Sequence, residues 1–136
     1  RGFGDLTGIG PSNEDYIVKR VAAVGGQRIS CCDAQGRLVR DGQPIDEPYV
    51  YEDLPFERGT LDCTTTVRSP RCFPETLVHE GQLVLLGDHR SNSEDSVADC
   101  RYPSAPRTCV RTVPVSAVVG QVIFRIWPLD RVGVPR

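Results

Sequence analysis

The sequence contains no methionine, which predicts a processed product or an excised part of a longer chain. No apolar run approaches the ~20 residues needed to cross a bilayer, and the opening RGFGDLTGIGP lacks the charged and apolar regions of a signal peptide. The chain as given therefore reads as soluble. An excess of positive charge is also missing: 16 basic against 18 acidic residues leave a net charge of -2, which excludes the electrostatic footprint of a nucleic-acid binder. Histidine is scarce, with only His79 and His89, and the later cysteine pairs are spaced C-x8-C rather than as zinc ligands, so no metal is expected. Sustained helical periodicity is absent, and eleven prolines and thirteen glycines interrupt the chain.

What remains is globular usage, 39% hydrophobic and 25% charged, in 136 residues, which predicts a single domain over 1–136. Strand signals run over Tyr16 to Val24, Gln27 to Cys32, Leu38 to Arg40, Gln82 to Leu86 and Val118 to Trp127, punctuated by Gly25-Gly26, Asp41-Gly42 and Glu80-Gly81. An all-β or β-dominated fold follows, with loop excursions over 48–74 and 99–114. Six cysteines, Cys31, Cys32, Cys63, Cys72, Cys100 and Cys109, predict disulfides and an oxidising compartment. Cys100 with Cys109 is the expected pair, because closing the short loop RYPSAPRT stabilises by roughly 2.5 kcal/mol. The pairing of the other four stays open, although adjacent Cys31 and Cys32 would face opposite sides of a strand and reach different partners.

The stretch EDYIVKRVAAV places two cations inside an apolar strand. Strand alternation puts Ile17, Lys19, Val21 and Ala23 on one face and Tyr16, Val18, Arg20, Ala22 and Val24 on the other. One reading makes Lys19 a solvent-facing residue that discourages edge pairing. The other buries it, lowers its pKa and makes its neutral amine a general base. Arginine stays protonated, so Arg20 is then the anchor of a carboxylate on the opposite face.

In QLVLLGDHRSNSEDS an apolar strand ends in a polar cluster. A turn rich in Asp, Ser and Asn is the plain reading. A calcium loop starting at Asp88 fails, since Arg90 and Ser93 stand where Asp or Asn and Gly are required. A Ser-His-Asp triad using His89 lacks a G-x-S-x-G elbow. The remaining reading has Ser93 hold the amine of Lys19 while Asp88 or Asp95 pairs with Arg20.

Together these stretches resemble the bacterial type I signal peptidases, membrane-bound Ser-Lys serine proteases that remove signal peptides from exported proteins. DYIVKRVAAVGGQRI resembles the family's K-R-V strand and following turn, and GDHRSNSEDS its G-D-N-R-x-N-S-x-D-S-R. DGQPIDEPYV resembles its N-G-x-x-x-x-E-P-Y hairpin, and GQVIFRIWPLDRVG its closing strand. The likeness spans roughly Asp15 to Gly133 in the family's order.

The resemblance implies coiled antiparallel sheets, Lys19 as general base and Ser93 as its orienting partner. Arg20, Asp88, Asn92 and Asp95 would support the site. Tyr16, Ile17 and Val18 would flank an extended signal-peptide segment of an exported preprotein, with small residues selected before the cut. It also implies an upstream membrane anchor on the extracytoplasmic side of the bacterial membrane, and no cofactor. Departures are His89 for the usual Asn, Gly25-Gly26-Gln27 for Pro-Gly-Asp, and Val97 for Arg, so that an ion pair to Asp95 must come from elsewhere. The nucleophile motif S-x-S-M-x-P-T is not present: the one serine before Lys19 is Ser12, in GPSNED. The chain alone is therefore expected to be inactive. The competing expectations are a related Ser-Lys peptidase, of the pilin-maturase or self-cleaving-repressor type, and a disulfide-stapled β module that binds peptides without cutting them.

Overall fold

The structure, a computed structural model, describes residues 7–9 and 17–121. Its strands are β1 (Thr7–Ile9), β2 (Ile17–Val24), β3 (Arg28–Cys31), β4 (Leu38–Arg40), β5 (Gln43–Pro44), β6 (Phe73–Leu77), β7 (Gln82–Leu86), β8 (Val113–Pro114) and β9 (Val118–Gln121). They form two antiparallel sheets, one in the order β8-β7-β2-β1-β9 and the other β5-β4-β3-β6. Among the described residues the only helical pieces are 3-10 turns at Arg90–Asn92, Ala98–Cys100 and Val115–Ala117. The β-dominated expectation is borne out. Tyr16, Ser12 and the stretch beyond Gln121, including Trp127, lie outside the described residues.

The core lies where the two sheets meet. Ala22, Ala23, Ile29, Leu38, Phe73, Val78, Val84 and Leu86 are buried together with Val97 and the Cys100–Cys109 bridge. Strand β7 is buried over Leu83 to Leu86 rather than alternating, because sheet packing covers one side and the polar segment after it covers the other. That segment returns to its own strand: Ser96 N donates to Leu85 O at 2.9 Å and Leu85 N to Ser96 Oγ at 2.9 Å. The loop between Leu86 and Ser96 is thus closed on the end of β7.

Strict alternation along β2 holds only in part. The ladder with β7 shifts register between Val21 and Ala23, and Ala22 and Ala23 are both buried; a bulge places successive residues on one side. Just beyond β2 the turn needs glycine. A Cβ on Gly25 would stand 2.9 Å from Glu80 Cα and from His79 O, and Gly26 has φ +91. Asp41 (φ 53) and Gly42 (φ 80) are both left-handed, as a two-residue hairpin turn between β4 and β5 requires.

Residues 45–72, most of the first excursion, contain no strand and are held by local polar contacts. Asp62 accepts backbone N–H bonds from Gly59, Thr64 and Thr65 at 2.7–3.0 Å, which pulls its carboxyl down to about 2. The second excursion ends by adding β8 to β7.

Cys63 pairs with Cys72 and Cys100 with Cys109. Cys31 and Cys32 are bonded to each other, which corrects the expectation that they reach different partners. Strand β3 ends at Cys31, so strand alternation does not govern the orientation of Cys32.

Candidate active site

Lys19 stands where β2 changes neighbours. It pairs with Thr7 of β1, and the ladder with β7 begins one residue later at Arg20 opposite Leu86. After Leu86 the chain enters Gly87 and the closed polar loop, which brings Ser93 back over the lysine. Lys19 Nζ donates to Ser93 Oγ at 2.9 Å. Burial holds the Lys19 pKa below the ordinary lysine value; Asp95 and the exposed Glu94 oppose this, whereas Arg101 adds to it. Gly87 makes the approach possible, since a Cβ there would overlap Ser93 Oγ and lie 3.5 Å from Lys19 Nζ. A partly desolvated amine tied to a hydroxyl is an arrangement able to accept a proton.

Arg20 lies on the other side of the strand and takes Asp88, not Asp95. Its Nε and Nη2 donate to the two carboxylate oxygens at 2.8 Å each, a bidentate fork that lysine could not make. The Tyr49 ring packs beneath this guanidinium, 3.5 Å from centroid to Cζ. Tyr49 Oη donates to Glu47 Oε2 at 3.1 Å, and Arg90 donates to both Glu47 oxygens at 3.2 and 2.7 Å. Arg90 Nε also donates to Gly87 O at 2.7 Å, holding the glycine beside the site. Burial and then Glu47 push the Tyr49 phenol up to about 12. Main-chain bonds dock the same segment: Tyr51 N donates to Asp88 O at 2.8 Å and Arg90 N to Tyr51 O at 3.2 Å.

Asp95 closes the other end of the loop. Its side chain is fully buried, accepting from Gly87 N at 3.2 Å, Val97 N at 3.1 Å and Arg101 Nη2 at 3.2 Å on both oxygens. Arg101 Nη1 also donates to Ser93 O at 2.6 Å. Val97 is a core residue, and the cation for Asp95 comes from Arg101, directly after Cys100.

A family model described as signal peptidase, peptidase S26, matches residues 4–127. The chain belongs to that family. It is similar to signal peptidase I of Mycobacterium tuberculosis (strain CDC 1551 / Oshkosh), 35% identical over 136 residues, covering 95% of this chain and 42% of that protein. It is 34% identical to a probable signal peptidase I of Mycobacterium leprae, over 94% of this chain and 45% of that one, and 31% identical to signal peptidase IB of Staphylococcus aureus (strain Mu50), over 87% and 56%. The chain thus spans less than half the length of the mycobacterial relatives. A signal peptidase I crystal structure from Enterococcus faecalis V583 aligns over 90% of this chain and 95% of that one, with a TM-score of 0.54 and 22% identity; this likeness bears on the fold.

For this signal peptidase family member, the structure brings Lys19 to Ser93 and Arg20 to Asp88, with Asp95 beneath them. Asn92 is exposed, and among the described residues its side chain makes no hydrogen bond to these groups. His89 turns away to Glu52, at 2.9 Å. Ile17 and Val18 pair with Ile9 and Gly8 of β1. Sequence reasoning does not single out Glu47, Tyr49, Gly87, Arg90 or Arg101. The first four stand in quoted family-like segments, and Arg101 is signalled only by Val97 and the neighbouring Cys100. The sulfurs of Cys32, Cys63 and Cys72 lie within 4.8 Å of one another, but all three are already in disulfides and offer no thiolate to a metal.

Proposed function

We propose that this chain carries the general base of a Ser-Lys signal peptidase that cuts exported preproteins after small residues. The observation that carries the reading is the half-buried Lys19 amine held 2.9 Å from Ser93 Oγ, with its pKa lowered by burial. In the proposed reaction neutral Lys19 takes the proton of a serine hydroxyl as that oxygen attacks the scissile carbonyl. Backbone amides hold the oxyanion, Lys19 passes the serine proton to the leaving amine, and the amine of Lys19, neutral again, then activates the water that releases the acyl group. Ser93 orients the amine, and Arg20, Asp88 and Asp95 hold the loop that carries Ser93.

An extended peptide would lie along Tyr16, Ile17 and Val18. The β7 ladder begins only at Arg20, so the β7-side edge of Ile17 and Val18 is unpaired among the described residues and suits strand addition. The mechanism calls for no metal or organic cofactor. Disulfides suit the extracytoplasmic face of a bacterial membrane, reached in this proposal through an anchor in the full-length protein; among the described residues no helix is long and apolar enough to cross a membrane.

The serine in this scheme belongs to an S-x-S-M-x-P-T segment that is not in the 136 residues, so the chain alone is expected to leave peptides uncut. In the protein carrying that segment, a fluorogenic peptide with Ala one and three residues before the cut should be hydrolysed. Only neutral Lys19 is competent, so activity should rise with pH through a midpoint below the ordinary lysine value, and Lys19→Ala should abolish it. Wild-type turnover in Lys19→Ala would sink the proposal.

A further inference from the structure

The cation that partners Asp95 arrives by an indirect route. Arg101 begins the loop RYPSAPRT, whose residues Tyr102 to Ser104 are exposed. The loop is closed at its base by Cys100 and Cys109, which are 1% and 3% exposed and belong to the core cluster with Val97. Arg111 N donates to Ser96 O at 2.8 Å, and Arg68 Nη2 donates to Cys100 O and Tyr102 O at 3.1 Å each. The start of the loop is therefore pinned beside the polar segment that carries Ser93 and Asp95.

We propose that Arg101 is a positioning residue for the Lys19–Ser93 pair and that the Cys100–Cys109 bridge serves to hold it there. The inference rests on Lys19 being the base. One guanidinium bonds both the carbonyl of Ser93, whose hydroxyl takes the lysine amine, and the carboxylate of Asp95, which is sealed from water. A sealed carboxylate needs a counter-charge. Among the described residues the charged groups facing Lys19 are Asp95, Glu94 and Arg101, with the Arg20–Asp88 pair at the adjoining ends of β2 and β7; β1 contributes no charge over Thr7–Ile9. Without Arg101, Asp95 turns to Lys19, which stabilises the ammonium and withdraws the neutral amine. Arg101 Nε is buried with no hydrogen-bond partner among the described residues, a cost that stability alone gives no reason to bear. The buried sulfurs make the bridge a lasting clamp rather than an exposed redox switch.

Lys19 is the only lysine in the sequence, against fifteen arginines, so reductive 13C-methylation marks its amine and the α-amino group alone. The 136-residue chain can be titrated by NMR as wild type, Arg101→Ala, the Cys100→Ala/Cys109→Ala double variant, and Arg111→Ala as a control whose exposed partner is Asp99. The Lys19 midpoint should move up in the first two variants and stay in the control, with a dispersed amide spectrum retained. If the double variant unfolds, Arg101→Ala, which keeps the bridge, decides. In the serine-bearing protein Arg101→Ala should lose kcat near neutral pH and regain it as pH rises, and Arg101→Lys should restore part of the loss; a merely structural arginine would lower activity equally at every pH. A wild-type midpoint at the unperturbed ~10.4 overturns the base reading itself. A lowered wild-type midpoint that Arg101→Ala leaves unmoved overturns this inference alone.

Discussion

A methyl group on Gly87 would overlap Ser93 Oγ and reach to 3.5 Å from Lys19 Nζ, so this position reads the geometry of the site without altering its charge. Gly87→Ala should push Ser93 off the amine and lower kcat in the serine-bearing protein by about a hundredfold, as misplacement of about 1 Å does. Its unfolding midpoint should fall far less than activity does, and an Ala variant with unchanged kcat would refute the packing argument. At this scale the sequence was readable where chemistry is scarce: a lysine in an apolar strand and a serine in a polar cluster marked themselves. Gly87 did not, because its role is the absence of an atom. Nor did the choice between Asp88 and Asp95, since both carboxylates lie in one short segment and only the fold of that segment separates them.

Among the elements, the Glu47-to-Tyr49 segment behaves as a buttress. Glu47 and Arg90 form an ion pair whose side chains are 12% and 6% exposed. Removing one partner of such a pair strands the other charge, so Glu47→Ala should cost about 3–5 kcal/mol in urea unfolding. Glu47→Ala combined with Arg90→Leu should recover much of that loss; no recovery would mean the energy lies elsewhere. Strands β4 and β7 were legible to the residue, and β3 within one at each end, because alternation or continuous burial shows in their composition. Four others, Thr7–Ile9, Gln43–Pro44, Phe73–Leu77 and Val113–Pro114, were not. Thr7–Ile9 is a three-residue strand around a glycine, too short to show alternation, and each of the other three contains proline and lies at a sheet edge, where a missing N–H is tolerated. The bulge in β2 was hidden as well, because Val, Ala and Ala fit either face.

For the molecule as a whole, the two C-x8-C bridges have the same loop length and different consequences. Each closure stabilises by roughly 2.5 kcal/mol on chain entropy. Cys63→Ala/Cys72→Ala should therefore lower the urea midpoint about as much as the other double variant, yet leave the Lys19 titration where it is; a shift there would mean that the first excursion also governs the site. By itself the sequence determined the β class, the oxidised cysteines and the two stretches that meet at the candidate site, because burial patterns and residue types are local properties. Tertiary structure alone decided that Arg20 takes Asp88, that Asp95 is served by Arg101 in place of Val97, and that Cys31 bonds its neighbour. Partners such as Lys19 and Ser93 stand 74 positions apart, and charge complementarity offers several equivalent matches until sheet register and loop closure bring one of them within bonding distance.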